Sequence, residues 1–190
     1  DTYVKEVNLS EDALLTSVKD LRSQVCREAC VTLAFLCEHL DVQVVKLAEL
    51  LLPTLILLIP NSAKVMSTSG LNACGFIVKY VQHPKLVPLF LSGTNSKAKE
   101  IRRETLNLIA RLLDWDPKKI ERNIPQIIDA IKAGLGDADS AARTAARGAY
   151  ARLETVLPRS AELLFKSLDP SKQRALTGGA ASASSSTQSI

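Results

Sequence analysis

The feature that most constrains this chain is a recurrence. Four short polar connections, Asp20-Leu21-Arg22, Asn61-Ser62-Ala63-Lys64, Asn95-Ser96-Lys97 and Asp137-Ala138-Asp139, follow one another at intervals of 41, 34 and 42 residues. Each joins a first apolar stretch to a longer amphipathic one. In the last three units the first stretch carries a proline: Pro53, Pro88 and Pro125. The stretch Asn95 to Leu113 shows the unit most clearly. Lys97, Lys99, Arg102 and Arg103 sit at its start, and behind them Leu106, Ile109, Ala110 and Leu113 recur at intervals of three and four. That spacing is the buried stripe of an amphipathic helix. No stretch alternates with period two long enough for a sheet. The expectation is therefore an all-α chain of antiparallel helix pairs. A pair that buries only one face needs neighbours to bury the other, so such pairs stack into an α-solenoid.

Taken in order, residues 1–9 have no periodicity and read as a truncated lead-in, with the folded domain over 10–170. Ser10 precedes a short helix ending near Lys19. A helix opens after Asp20 and runs to about Leu40. Val42 to Ile59 is apolar, and Pro53 predicts a kink or a restart inside it, because proline removes a donor and clashes with the preceding turn. Val65 to about Val81 is the returning helix, where Gly70 and Gly75 permit close approach. Leu86 to Leu91 is short. Asp114-Trp115-Asp116-Pro117 stops the third second helix. Lys118 to Leu135 is expected as one helix, Ala141 to Leu157 as the next, and Ser160 to Leu168 as a cap. Residues 171–190 read as a disordered linker, because their Ser, Ala and Gly offer nothing to bury.

Composition narrows the function. Hydrophobic residues make up 46% but aromatics only 4%, which suits aliphatic helix packing. The longest apolar run, Leu47 to Ile59, is interrupted by Glu49 and Pro53 and reads as a core helix, so no membrane partner is expected. Cys26, Cys30 and Cys37 share one helical face and Cys74 lies on another helix. Without CxxC pairs or clustered His they read as core thiols in a reducing, cytosolic setting, with no metal. His39 and His83 are isolated and no phosphate-binding glycine loop is present. No cofactor and no catalytic set is expected, so the chain does not read as an enzyme. A net charge of +4 and few aromatics argue against nucleic acid as the partner.

The connections carry the functional signal. Ser96 stands five before Ile101 with Arg102 next, and Asp137 five before Ala142 with Arg143 next. Asp20 stands five before Val25, with Arg27 one place late. These words resemble the HEAT repeat. Arg27, Arg102 and Arg143, with Arg147 a turn further on, read as a structural ladder to acidic residues of neighbouring repeats. Lys64, Lys97 and Lys99 have less structural reason to exist. Asp20 to Cys30 (DLRSQVCREAC), Ile59 to Gly70 (IPNSAKVMSTSG), Arg102-Arg103 and Lys132 to Arg147 (KAGLGDADSAARTAAR) together resemble the TOG domains of the CLASP family, most of all the second.

That resemblance implies a HEAT-repeat array that engages αβ-tubulin and microtubules through the loops within its repeats. It further implies catastrophe suppression, a place at microtubule plus ends, spindle and kinetochore within the cytoplasm, and other microtubule-associated partners through flanking regions. Carried over residue by residue, it makes Arg22, Ser23, Asn61, Lys64, Lys97, Lys99, Asp139 and Arg143 the tubulin-contacting set. The pattern departs at one point. Family members place an aromatic contact, usually Trp, in their first repeat, whereas Trp115 here follows the third unit's second helix, at the edge away from the connections. One or two N-terminal repeats are therefore expected to be missing. The alternative function is a generic scaffold that binds a peptide or helix in an apolar groove.

Overall fold

The computed structural model describes residues 10–177, so the lead-in 1–9 and the linker residues 178–190 lie outside it. The described residues form eleven α-helices joined by short connections and 3-10 turns. They are α1 (Glu11–Val18), α2 (Ser23–Leu40), α3 (Val45–Leu58), α4 (Lys64–Tyr80), α5 (Val87–Ser92) and α6 (Lys99–Leu112). After these come α7 (Pro117–Ile120), α8 (Ile124–Leu135), α9 (Ser140–Val156), α10 (Pro158–Lys166) and α11 (Pro170–Thr177). Among these residues there is no strand, and no helix is long and apolar enough to cross a membrane. The pairs α1/α2, α3/α4, α5/α6 and α8/α9 are the four expected units; α10 packs on α9 and α8 at the end of the stack, and α11 follows it. The expected all-α solenoid of HEAT-type pairs is the observed architecture.

First helices pack on first helices and second helices on second helices, with α2 beside α4, α4 beside α6 and α6 beside α9. Contacts along their length show that the second helices run parallel and in step. At their starts, Gln24 and Arg27 of α2 line one depression with Lys64, Val65 and Thr68 of α4. Further along, the Arg111 guanidinium donates to the Gly75 carbonyl at 3.0 Å. At their ends, the Tyr80 hydroxyl donates to Glu38 at 2.8 Å, the Trp115 indole to the Val78 carbonyl at 2.6 Å, and Arg152 to Asp114. Trp115 is thus a buried strut at the edge away from the connections.

One continuous apolar core fills the space between the two layers. Leu33, Leu47, Leu51, Leu55, Ile77, Leu86, Phe90, Leu106, Ile109 and Leu112 are fully buried in it. The stripe expected on α6 is there: Leu106, Ile109 and Leu113 are buried, and Ala110 packs on the core at partial exposure. All four cysteines are buried free thiols. Burial pushes the Cys30 and Cys37 thiols up to about 12 and raises Cys26 and Cys74 as well. These groups are neutral packing atoms rather than nucleophiles.

The structure differs from expectation at two prolines. Of the kink or restart expected at Pro53, the restart does not occur. Pro53 sits exposed inside the continuous helix α3, so the carbonyl it strands faces water. The break comes earlier, as a 3-10 turn over Asp41–Val44. Lys118 to Leu135 is not one helix. It splits into α7, a 3-10 turn over Glu121–Asn123, and α8, with Pro125 in the first turn of α8. Proline has no N–H to donate, and in the first turn of a helix none is needed, so the helix restarts just ahead of Pro125 instead of running through. The stretch expected as linker from residue 171 begins as helix α11, whose first turn is capped by Asp169.

Both predicted close approaches of glycines are present. A Cβ on Gly70 would stand 2.7 Å from the Leu58 Cβ and 3.0 Å from the Leu55 carbonyl, and one on Gly75 would meet the Arg111 guanidinium. Backbone and Cβ cannot swing aside as a side-chain tip can. Gly70→Ala is expected to destabilise the fold by about 2 kcal/mol through overpacking, measured by chemical denaturation. Asp41, at the end of α2, has φ 48 and ψ −128, a backbone conformation suited to glycine. Asp41→Gly is expected to stabilise by about 1 kcal/mol in the same assay.

Candidate functional site

The four connections share one local structure, and side-chain chemistry dictates it. In each, a polar side chain accepts a hydrogen bond from the backbone N–H two residues on. The pairs are Asp20 with Arg22 (2.8 Å), Asn61 with Ala63 (2.8 Å), Ser96 with Ala98 (3.2 Å) and Asp137 with Asp139 (2.8 Å). Asp, Asn and Ser favour such turns because their short side chains mimic a backbone acceptor. The residue that receives the turn, Arg22, Ala63, Ala98 or Asp139, is extended, and the second helix begins directly after it. The carbonyl of that residue then takes the first helical hydrogen bond, from Cys26, Ser67, Arg102 and Arg143 respectively. The register of the third connection is therefore set by Ser96, one residue later than the Asn95 alignment.

This register decides what each expected site residue does. Ser23, Lys64, Lys99 and Ser140 open the four second helices. Lys64, Lys97 and Lys99 are exposed, and none of the three has a charged partner among the described residues. Arg22 is also outward, 77% exposed at the side chain, but is gripped by Asp20 at 2.8 Å. The Arg22 guanidinium and N–H hold the Asp20 carboxyl down at about 2. Ser23 is half-buried at the start of α2. Asn61 is spent on its turn. Asp139 caps α9 by accepting from the Ala142 N–H at 2.9 Å. Asn61 and Asp139 thus shape the edge, while Lys64, Lys97 and Lys99 present charge on it.

The ladder is shorter than expected. Arg102 is a full rung: Nη1 donates to the Ser96 and Lys97 carbonyls of its own connection, and Nε and Nη2 donate to Asp137 of the next at 2.7 and 2.9 Å. Arg143 makes the own-connection half, to the Asp137 and Ala138 carbonyls at 2.8 and 3.0 Å. Arg27 and Arg147 are not rungs. Arg27 is one residue past the ladder position, which Cys26 fills; one residue is about 100° of helix rotation, so its guanidinium turns outward to its neighbour Glu28. Arg147, a turn deeper, donates to Thr144.

Sequence reading left one exposed residue unnoticed and the groove of the alternative function unplaced. Leu21, in the first connection, is 92% exposed. Its signal was an aliphatic residue in a position that Ser62, Lys97 and Ala138 occupy elsewhere. The groove, apolar and of about 390 Å³, lies between α2 and α4, with Val31, Ala34, Phe35 and Phe76 among its lining residues. Phe35 is 54% exposed and stacks on His39 at 3.9 Å. His83 is used locally, accepting from the Lys85 N–H. Among the described residues no group of three or more His, Cys, Asp or Glu could hold a metal ion.

The CLASP N-terminal family model matches residues 2–177. The chain belongs to that family. It is 40% identical over 177 residues to CLIP-associating protein 1 of Xenopus tropicalis, covering 93% of this chain and 12% of that protein. It is 38% identical over 184 residues to Protein CLASP-1 of Caenorhabditis elegans, covering 96% of this chain and 13% of that protein. The chain thus spans about an eighth of the length of these CLASP relatives. Its fold is that of TOG domains. A chain solved in work on microtubule plus-end tracking by XMAP215, CLIP-170 and EB1 superposes with a TM-score of 0.76 at 17% identity, over 95% of this chain and 76% of that one. The TOG domain of C. elegans Zyg9 superposes with a TM-score of 0.62 at 15% identity, over 95% and 77%.

In this CLASP TOG domain the Arg102–Asp137 rung is half-buried, at 20% and 9% side-chain exposure. The Arg102 hydrogen bonds hold the Asp137 carboxyl below the usual range. A carboxyl lowered on folding contributes its stability in full above the unfolded value, near pH 4, and loses it as pH falls through the folded value. Asp137→Asn is expected to cost about 1–2 kcal/mol at pH 7. The gap to the native chain should close below about pH 4, measured by denaturation across pH.

Proposed function

We propose that this chain is a non-catalytic tubulin- and microtubule-binding module, and that the edge formed by the four connections is its contact surface. One observation carries the reading: parallel, in-step second helices bring Arg22, Lys64, Lys97 and Lys99 to one edge, all exposed. Tubulin's surface is acidic, so a basic edge steers encounter and fixes orientation more than it adds bulk affinity. Leu21 joins this edge as an exposed apolar group. Relatives and neighbours support the reading: one similar chain comes from a study of tubulin recruitment by microtubule polymerases with TOG arrays, with a TM-score of 0.72 at 17% identity.

Within the whole protein, of which this chain matches a small part in its relatives, the module acts at plus ends, spindle and kinetochore to suppress catastrophe. Arg22, Lys64, Lys97 and Lys99 supply contact charge. Asn61 and Asp139 hold the connections in shape, Ser23 lies beside the contact charges at the start of α2, and Arg143 serves both roles.

The groove between α2 and α4 favours a second reading, a scaffold that takes an apolar peptide or helix on the second-helix face. The two separate cleanly in microtubule co-sedimentation. Lys97→Glu with Lys99→Glu is expected to lower microtubule association severalfold, more at low salt than at high, with the circular dichroism spectrum unchanged. Phe35→Glu is expected to leave it intact. Association unaffected by the lysine pair would remove the edge from the mechanism.

A further inference from the structure

The second helices carry a row of equivalent positions on their exposed face. Nine residues on from Arg22, Ala63, Ala98 and Asp139, the extended residues of the four connections, stand Val31, Asn72, Asn107 and Gly148. All four are exposed. Because the second helices run parallel and in step, these positions form a track that crosses them. Asn72 lies where three depressions meet: one at the helix starts with Lys64, the apolar groove with Phe35, and one between α4 and α6 with Arg111.

The track carries groups that the fold does not use. The Asn72 carboxamide has no hydrogen-bond partner among the described residues, and that of Asn107 spends one donor, on Glu104 at 2.9 Å. Gly148 stands inside α9, where glycine is a poor helix former, yet a Cβ there would meet no neighbour within 4 Å. Beside Val31, the rings of Phe35 and Phe76 line the groove. Charge along the three depressions is unevenly met. Glu38 accepts the Tyr80 hydroxyl, Glu104 accepts from Arg103 and Asn107, and Arg27 is paired with Glu28. Lys64 is exposed, and Arg111 donates only to the Gly75 carbonyl. Neither has an acidic partner among the described residues, so the unmet charge is positive.

We infer that this track is a docking site for an extended, acidic segment of another protein, with one large apolar side chain of that segment seated in the groove between α2 and α4. The inference rests on the scaffold reading of the groove and is independent of the microtubule edge. A helix spends its backbone groups internally, so it has none to offer Asn72 and Asn107. A polyproline-II-like chain keeps its N–H and C=O groups free, and a carboxamide can both donate to and accept from them. Such a chain repeats its orientation every three residues, about 9 Å along, and packed helices lie about 8–10 Å apart. One turn of the segment therefore matches one step of the track, from Asn72 to Asn107. The bare Gly148 lets a backbone pass close to α9. Acidic side chains flanking the apolar anchor meet Lys64 and Arg111.

The test selects a library of random short peptides on the full chain. Enriched peptides are then titrated by fluorescence anisotropy against the native chain, Phe35→Glu and Asn72→Ala, and the same proteins are run in microtubule co-sedimentation. Both side chains are exposed, so neither change empties the core. Expected are peptides with a large apolar residue and Asp or Glu within a few places of it, which keep their affinity when proline is placed beside the anchor. Binding should weaken roughly tenfold for Phe35→Glu and about fivefold for Asn72→Ala, with co-sedimentation unchanged. Peptides that bind both variants like the native chain would overturn the site. Loss in Phe35→Glu alone would overturn the pairing of Asn72 with the segment's backbone. Peptides inactivated by proline would be helices in the groove, overturning the extended occupant while the scaffold reading stands. Enrichment of basic peptides would overturn the charge assignment. No enrichment, with the groove empty or filled by a second copy or by residues 1–9, would overturn the inference and the scaffold reading together. A native chain that binds such peptides but not microtubules would remove the microtubule edge and leave the docking site standing.

Discussion

The rest of the structure depends on second helices packing side by side, parallel and in step. A helix pair of this chain buries one face on itself and leaves another apolar, so each unit is completed by its neighbour. In-step packing aligns equivalent positions along the stack. At one edge it ties helix ends together through Glu38 to Tyr80, Val78 to Trp115 and Asp114 to Arg152. At the other it places four structurally equivalent connections in a row. A charge that would be an isolated surface lysine in one helix becomes part of a basic edge only because of this alignment.

Charge on that edge is divided by what backbone groups require. An arginine one turn into the second helix can reach its own connection's carbonyls and the next connection's acid, and Arg102 does both. That arginine is structural first. The lysines at Lys64, Lys97 and Lys99 lie ahead of it, exposed and with no carbonyl or acid partner among the described residues, so their charge is left to solvent there. Arg143 makes only the own-connection half of that arrangement, to the Asp137 and Ala138 carbonyls.

The chain belongs to the CLASP family and has the TOG fold. The apolar groove between α2 and α4 is a separate surface, on the flat of the second helices rather than at their starts. Its Val31 and Phe35 belong to a helix face that neither the connections nor the ladder uses.

The sequence by itself determined the helical class, the repeat, the buried thiols and the close-approach glycines. Each follows from local chemistry: a period of three to four, side-chain acceptors ahead of helix starts, and glycine where no Cβ fits. It also named Arg102 as a structural rung. Tertiary structure alone decided the rest. That Cys26 holds the ladder position and Arg27 misses it is a matter of helix phase, which a one-residue alignment error hides. That Pro53 does not break α3 depends on which face the proline turns to water. That 170–177 is helical depends on an Asp169 cap and on packing beside the fourth connection, where composition alone suggested a linker. Leu21 looked like an ordinary aliphatic residue, and only the fold shows that nothing covers it. Local propensity is written along the chain, but phase, facing and partnership are fixed when the repeats stack.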